Sequence, residues 1–189
     1  RVIEAAPQAL VVLDEAYVHY SETPGYVHLA GEYEHVAVLR TFSKVFGLAG
    51  LRIGFGVAPP MVIDALLAIK TTWNMGQLQI AGAVAALDDH DHLDRTIKTI
   101  VESRSYVQGR FEELDRFRMV PDSRSNFFLI EILDADTDSN RIFDGLLERG
   151  VIVKDGSVSF RGLGKSFLRS DLNFTQHMDH LVDALADIP

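Results

Sequence analysis

The sequence contains no cysteine, which excludes a disulfide framework and any thiolate metal site. Basic charge is also short: 18 Lys and Arg stand against 27 Asp and Glu, a formal net charge of −9. A surface of that sign opposes broad contact with nucleic acid, whose phosphates are bound by cations that displace counterions. No uninterrupted apolar run reaches bilayer-spanning length, and the opening residues do not read as a charged-then-apolar leader. Apolar material is nevertheless ample. At 47% hydrophobic and 24% charged over 189 residues, the chain can bury a core and does not have the composition of a disordered or fibrous protein. The length suits one large domain or two small ones. The expectation is a soluble, cytoplasmic protein without nucleic-acid or membrane partners. Arg1 in place of Met points to a processed chain or a piece of a longer one.

Apolar runs and helical periods alternate along the first half. Ala9–Leu13 and Val36–Leu39 are continuous apolar runs that read as strands buried on both faces, the pattern of a parallel sheet. Ile53–Val57 is a third run, thinned by Gly54 and Gly56, where backbone or ligand can approach closely. Pro59 and Pro60 open a helix over Met61–Lys70. A second, alanine-rich helix covers Gln77–Leu87, with Ala81, Ala85 and Ala86 offering a close-packing face, and the run Asp88–Asp94 interrupts it. A long helix is predicted from about Leu93 to Leu114. The remainder reads strand (Phe127–Ile132), helix (Arg141–Arg149, stopped by Gly150), strand (Phe167–Leu172) and helix (His177–Ala186). The domain boundary is expected at the long helix: an α/β part over residues 1–92, then that helix and a smaller α+β part over residues 93–189.

The most informative stretch runs from Thr41 to Gly56. Lys44 follows a buried strand in an apolar, glycine-rich segment, with Arg40 and Arg52 near in sequence. Poor solvation and neighbouring cations favour the uncharged amine that a Schiff base requires. The Thr41 and Ser43 hydroxyls and the Arg52 guanidinium suit a dianionic phosphate. A solvated lysine with a structural arginine is the competing reading. Asp14-Glu15-Ala16-Tyr17 ends the preceding strand. Ligands of open α/β sheets bind at the carboxyl ends of strands, so Asp14, Tyr17 and Lys44 can converge there; alternatively Asp14 only caps a turn.

Asp-Glu-Ala-Tyr, then Thr-Phe-Ser-Lys thirty residues after its Asp, then Gly-Leu-Ala-Gly-Leu-Arg, resembles the fold-type I pyridoxal-phosphate aminotransferases, and among them most the histidinol-phosphate aminotransferases. The likeness runs over nearly the whole chain and is strongest from Val11 to Val57. It implies pyridoxal 5′-phosphate as cofactor and α/β architecture: part of a large domain with a mostly parallel sheet, plus a smaller α+β C-terminal domain. By the same resemblance, Lys44 holds the cofactor covalently and later moves the substrate proton. Asp14 pairs with the pyridine nitrogen, Tyr17 with the ring 3′-oxygen, and Thr41, Ser43 and Arg52 with the phosphate. Arg169 in Phe-Leu-Arg corresponds to an arginine that grips the substrate carboxylate, and Asn74 and Asn126 to asparagines of the family. Lys154 stands where an arginine usually meets the substrate phosphate, and a lysine loses the fork geometry. Ser170-Asp171-Leu172-Asn173 replaces a β-branched run and a glycine. The family's glycine-rich phosphate loop, stacking aromatic ring and third asparagine lie before the Asp-Glu-Ala-Tyr strand, and only thirteen residues precede Asp14 here. The chain therefore reads as the C-terminal half of such an enzyme.

The resemblance implies a homodimer that exchanges an amino group between an amino-acid or amino-phosphate substrate and a keto acid such as 2-oxoglutarate. Alternatives are an aromatic aminotransferase, a threonine-phosphate decarboxylase, an aminotransferase-like effector domain of a transcription regulator, or an inactive fragment. No metal is expected. His90-Asp91-His92 is a pair of adjacent ligands in an acidic break, and Asp134–Asp138 lacks the glycine and final glutamate of a calcium loop. The glycines at 47, 50, 54 and 56 do not match dinucleotide spacing.

Overall fold

Three short strands build the first sheet: β1 (Val11–Asp14), β2 (Val36–Thr41) and β3 (Gly54–Val57). They belong to a computed structural model that describes residues 1–189 and divides into two compact units, Arg1–Thr96 and Ile97–Pro189. β1 and β2 run parallel, in register Val11↔Val36 to Asp14↔Leu39. Their connection carries a 3-10 turn (Val18–Tyr20) and a one-turn helix, α2 (Leu29–Glu32); another one-turn helix, α1 (Val2–Ala5), precedes β1. β3 returns antiparallel to β2, from Val38↔Val57 to Thr41↔Gly54, so the sheet is mixed rather than uniformly parallel.

Only β2 is buried as expected. Val36 and Val38 meet Ala30 of α2, with Ile3, Val11 and Leu13 packed around them. β1 alternates instead, leaving Leu10 and Val12 half exposed, and every residue of β3 is exposed. Gly54 is needed where β3 meets β2, since a Cβ there would stand 2.7 Å from the Arg40 carbonyl oxygen.

Helix α3 (Pro60–Ile69) starts on Pro60 and buries no residue. Helix α4 (Gln77–Asp88) packs through small residues, but of the three expected only Ala86 takes part: Ala81 and Ala85 are exposed. Ala83 and Ala86 join the cluster of Phe42, Ile53 and Leu51, and a Cβ on Gly82 would lie 2.7 Å from Leu51. Only Asp89 separates α4 from α5 (His90–Phe111), which starts earlier than its apolar period suggests. The Asp89 carboxylate accepts the His92 N–H at 3.0 Å, an end cap that draws His90-Asp91-His92 into the helix. The boundary between the units falls inside α5.

The second unit is an antiparallel sheet of order β4 (Phe117–Met119), β5 (Phe127–Ile132), β7 (Phe167–Asp171), β6 (Lys154–Asp155). β5 alternates strictly and buries Phe128, Ile130 and Ile132. The inner face packs with α6 (Ser139–Glu148) and α8 (Thr175–Ala186), which contribute Ile142, Leu146, Leu181 and Leu185 to one core. Phe111 of α5 meets Phe128 edge to face at 5.7 Å. A further single turn, α7 (Gly156–Ser159), follows β6.

The Asp134–Asp138 run is structural. Asp134 accepts from Arg116 at 2.9 Å, and Asp138 caps α6 by accepting the Arg141 N–H at 3.1 Å, which starts that helix two residues before its apolar pattern. Gly150 adopts φ +76° just past the helix, as a terminating glycine does. No helix is long and apolar enough to cross a membrane.

Candidate active site

The carboxyl ends of β1 and β2 lie side by side because the two strands are parallel. Asp14 is exposed at the end of β1, where its Oδ1 accepts the Ala16 N–H at 3.0 Å. The turn-capping role is thus met by one oxygen of the carboxylate. Glu15, next along, is buried; it receives Arg40 Nε at 2.9 Å and Nη2 at 2.8 Å, and also the Tyr26 N–H. Arg40 is therefore matched to Glu15 rather than presented as an uncompensated cation beside Lys44. Gly25, at φ +75°, permits this: a Cβ there would lie 2.9 Å from Arg40 Nη2 and 3.0 Å from the Glu15 carboxylate.

Sequence reasoning missed this buried pair. The strand register offered a signal, since Asp14 opposite Leu39 sets Glu15 beside Arg40. His19 lies near the pair, its ring edge-on to Phe46 at 5.3 Å. Burial, with the Arg40 charge second, holds the imidazole below its usual pKa despite Glu15.

Lys44 sits in the bend that leaves β2. Phe42 N–H donates to Ile53 O at 3.1 Å, Leu48 N–H to Phe42 O at 3.0 Å, and Gly47 N–H to Lys44 O at 2.9 Å. Phe42 and Val45 are buried on either side, which fixes the bend and leaves the Lys44 side chain half-buried between them. Its Nζ stands 5.1 Å from the centre of the Tyr17 ring, within cation–π range.

A turn below, Ser43 N–H donates to Thr41 Oγ1 at 3.0 Å, and Arg52 Nη1 reaches Ser43 Oγ at 3.4 Å and Ala49 O at 2.8 Å. Arg52 adopts φ +53°, a left-handed backbone that aims its side chain back at Ser43. Thr41, Ser43 and Arg52 line one hollow of about 420 Å³ whose lining does not include Lys44, Tyr17 or Asp14. Asn74 lies in the exposed loop between α3 and α4, beside Trp73, which is 95% exposed.

In the second unit, antiparallel register sets Lys154 on β6 opposite Arg169 on β7. The Arg169 guanidinium stacks 3.9 Å from the centre of the Phe127 ring, and its Nη2 stands 3.0 Å from Asp171 Oδ1. Arg169 Nε is buried without a hydrogen-bond acceptor, and Asn126 Oδ1 is buried without a donor. Asn126 also holds the sheet, its carbonyl accepting the Leu172 N–H at 2.8 Å.

Two groups thus form, one in each unit: Asp14, Tyr17, Lys44, Thr41, Ser43 and Arg52 around the end of β2, and Lys154, Arg169 and Asn126 on β5–β7–β6. The first offers an amine beside a phenol, a strand-end carboxylate, and two hydroxyls with a guanidinium. That donor set fits pyridoxal phosphate.

Comparison with known proteins gives the same family. The family described as "Aminotransferase class I and II" matches residues 1–185. The chain is 33% identical over 181 residues to histidinol-phosphate aminotransferase of Methanopyrus kandleri, covering 96% of this chain and 46% of that protein. Among solved structures it is similar to histidinol-phosphate aminotransferase from Sinorhizobium meliloti in complex with pyridoxal-5′-phosphate: TM-score 0.85, 27% identity, 100% of this chain and 52% of that one. L-threonine-O-3-phosphate decarboxylase from Porphyromonas gingivalis shares the fold, with TM-score 0.86 at 23% identity over 98% of this chain and 57% of that one. The chain spans about half the length of the curated relatives it matches.

Proposed function

This chain belongs to the aminotransferase class I and II family, and from that premise we propose that it carries the lysine of a pyridoxal 5′-phosphate-dependent transaminase of the histidinol-phosphate type. The observation that carries the reading is the surroundings of Lys44: an amine fixed between buried Phe42 and Val45, 5.1 Å from the Tyr17 ring centre. It lies one residue from the hydroxyl–guanidinium hollow of Thr41, Ser43 and Arg52.

Under this reading Thr41, Ser43 and Arg52 hold the cofactor phosphate, the guanidinium supplying charge and the hydroxyls direction. Asp14 pairs with the ring nitrogen and keeps its proton there, while Tyr17 hydrogen-bonds the ring oxygen. Lys44 would be the residue that holds the cofactor at rest; with its Nζ set free when a substrate amine takes its place, it would accept the proton from the substrate α-carbon. The cofactor, when bound, supplies an electron-withdrawing ring for the charge left on that carbon. Arg169 grips a substrate carboxylate, its unsatisfied Nε offering one arm of the fork. Lys154 meets a substrate phosphate as a point charge, and Asn74 lies near the substrate.

The substrates are an amino acid or amino phosphate, histidinol phosphate by the relatives' names, with 2-oxoglutarate as the keto acid. A cytoplasmic homodimer with sites at the subunit interface completes the reading, as does the assignment of residues 1–92 to the cofactor-binding domain and 93–189 to the linking helix and small domain.

The test is borohydride reduction of the chain after adding pyridoxal phosphate, followed by peptide mapping. A single reduced adduct on Lys44, lost in Lys44→Ala, is the expected result. An adduct spread evenly over surface lysines, or retained at full level in Lys44→Ala, overturns it.

A further inference from the structure

Arg169 and Asp171 are two apart on β7, so their side chains share the face that also carries Lys154, Leu129 and Phe127 from the paired strands. Asp171 reaches Arg169 from the solvent side: its side chain is 70% exposed and that of Arg169 only 19%. The contact is single, Nη2 to Oδ1 at 3.0 Å, and leaves the buried Nε without an acceptor. A carboxylate seated as a fork on Nε and Nη2 needs the Nη2 that Asp171 holds. The Phe127 ring, stacked 3.9 Å from the guanidinium, keeps the fork in place whichever carboxylate occupies it.

We propose that Asp171 is a built-in competitor for the Arg169 guanidinium, a specificity-determining residue that lowers the affinity of this site for carboxylate substrates. The inference rests on the reading of Arg169 as the carboxylate grip. Two terms keep its size small. An exposed ion pair holds weakly, so incoming carboxylate displaces Asp171 at small cost. The bare Nε gains its missing acceptor only from a ligand, which favours the exchange. With Lys154 opposite Arg169, two cations stand beside the Asp171 carboxylate; Glu131, farther along the same face, is paired with Arg118. Neutralising Asp171 leaves both cations to the ligand.

The experiment is calorimetric titration of 2-oxoglutarate into the 189-residue chain and its Asp171→Asn, Asp171→Ser and Arg169→Gln variants at one low ionic strength. It is paired with ¹⁵N NMR of the Arg169 Nε–H. Circular dichroism establishes that each variant is folded, and Asp171→Ser keeps the test available should the asparagine disturb β7. The expected result is binding about two- to five-fold tighter in both Asp171 variants, lost in Arg169→Gln, with the Nε–H resonance displaced by the Asp171 changes before any ligand is added. Equal or weaker binding in the Asp171 variants, while Arg169→Gln still abolishes it, overturns the competitor role and leaves the Arg169 reading standing. Binding indifferent to Arg169, or absent from every chain, overturns the grip itself and the competitor with it.

Discussion

The two units reach stability by different routes. Ile97–Pro189 covers one face of a four-stranded sheet with helices, and its large side chains, Phe128, Ile130, Leu146, Leu168 and Leu185, are almost fully buried together. Arg1–Thr96 has three strands, two separate small clusters and a helix, α3, that buries nothing. Leu67, Ile69, Trp73 and Leu78 are more than half exposed there. What is most firmly built in that unit is a polar pair and a backbone bend: Glu15–Arg40 across two strands, and the bonds around Lys44. The contrast shows that the bend around Lys44 is held by a few backbone bonds and buried anchors rather than by a large core.

The largest test of that contrast is a pair of truncations. Phe128→Ala in the second unit is expected to cost about 3–5 kcal/mol in urea unfolding, whereas Leu66→Ala on exposed α3 stays within about 0.5 kcal/mol. Similar losses at both positions would erase the distinction.

Next in size is the polar anchor. Glu15→Gln removes the carboxylate from a pair whose members are mostly buried (5% and 22% exposed) and strands the Arg40 charge. A loss of about 3 kcal/mol is expected, together with a fall in Lys44 adduct formation, because the Glu15 carboxylate also holds the Tyr26 N–H and anchors Arg40 on the strand that leads to Lys44.

Smaller effects come from pH, and the two units respond at opposite ends of the scale. In the first, burial, with the neighbouring Tyr17 second, pushes the Tyr20 phenol up to about 12. The unfolded phenol ionises near 10, so the folded state keeps its proton longer and stability falls as pH rises from about 10 to 12. The loss is on the order of 2 kcal/mol, and Tyr20→Phe removes it.

In the second unit, burial pushes the Asp155 carboxyl up. Hydrogen bonds from Ser139 Oγ at 2.6 Å and the Ser157 N–H at 2.8 Å outweigh that and hold it below the carboxylate range. Its stabilisation is complete above the unfolded pKa near 4 and is lost as pH falls through the depressed folded value. Asp155→Asn should flatten that acid limb in unfolding titrations. An unchanged limb in Asp155→Asn, or alkaline loss persisting in Tyr20→Phe, would assign the slopes to other groups.

The amino-acid order by itself determined the elements with a strong local signal and named the candidates for the site. β5 was legible to the residue, because Phe127–Ile132 is a short run of aromatic and branched apolar residues between polar segments; that it buries alternate side chains was decided by packing. The end of α6 was equally plain, because Gly150 punctuates it. Asp14, Tyr17, Thr41, Ser43, Lys44 and Arg52 stood out through their place at or after two strand ends and through motifs that resemble those of the aminotransferases.

Tertiary structure decided what depends on partners distant along the chain. β4 and β6 are two or three residues long and exist only through their ladder bonds to β5 and β7. β3 became an antiparallel edge strand because the connection over residues 42–53 folds back beside β2 instead of crossing over as a helix. Whether an apolar run such as β1 is buried depends on what covers its faces, which no local pattern contains. The same holds for charge. Only folding brings Arg40 to Glu15 and sets Phe127 beneath Arg169, and the β pleat turns Asp171 from an irregularity of sequence into a carboxylate on that guanidinium.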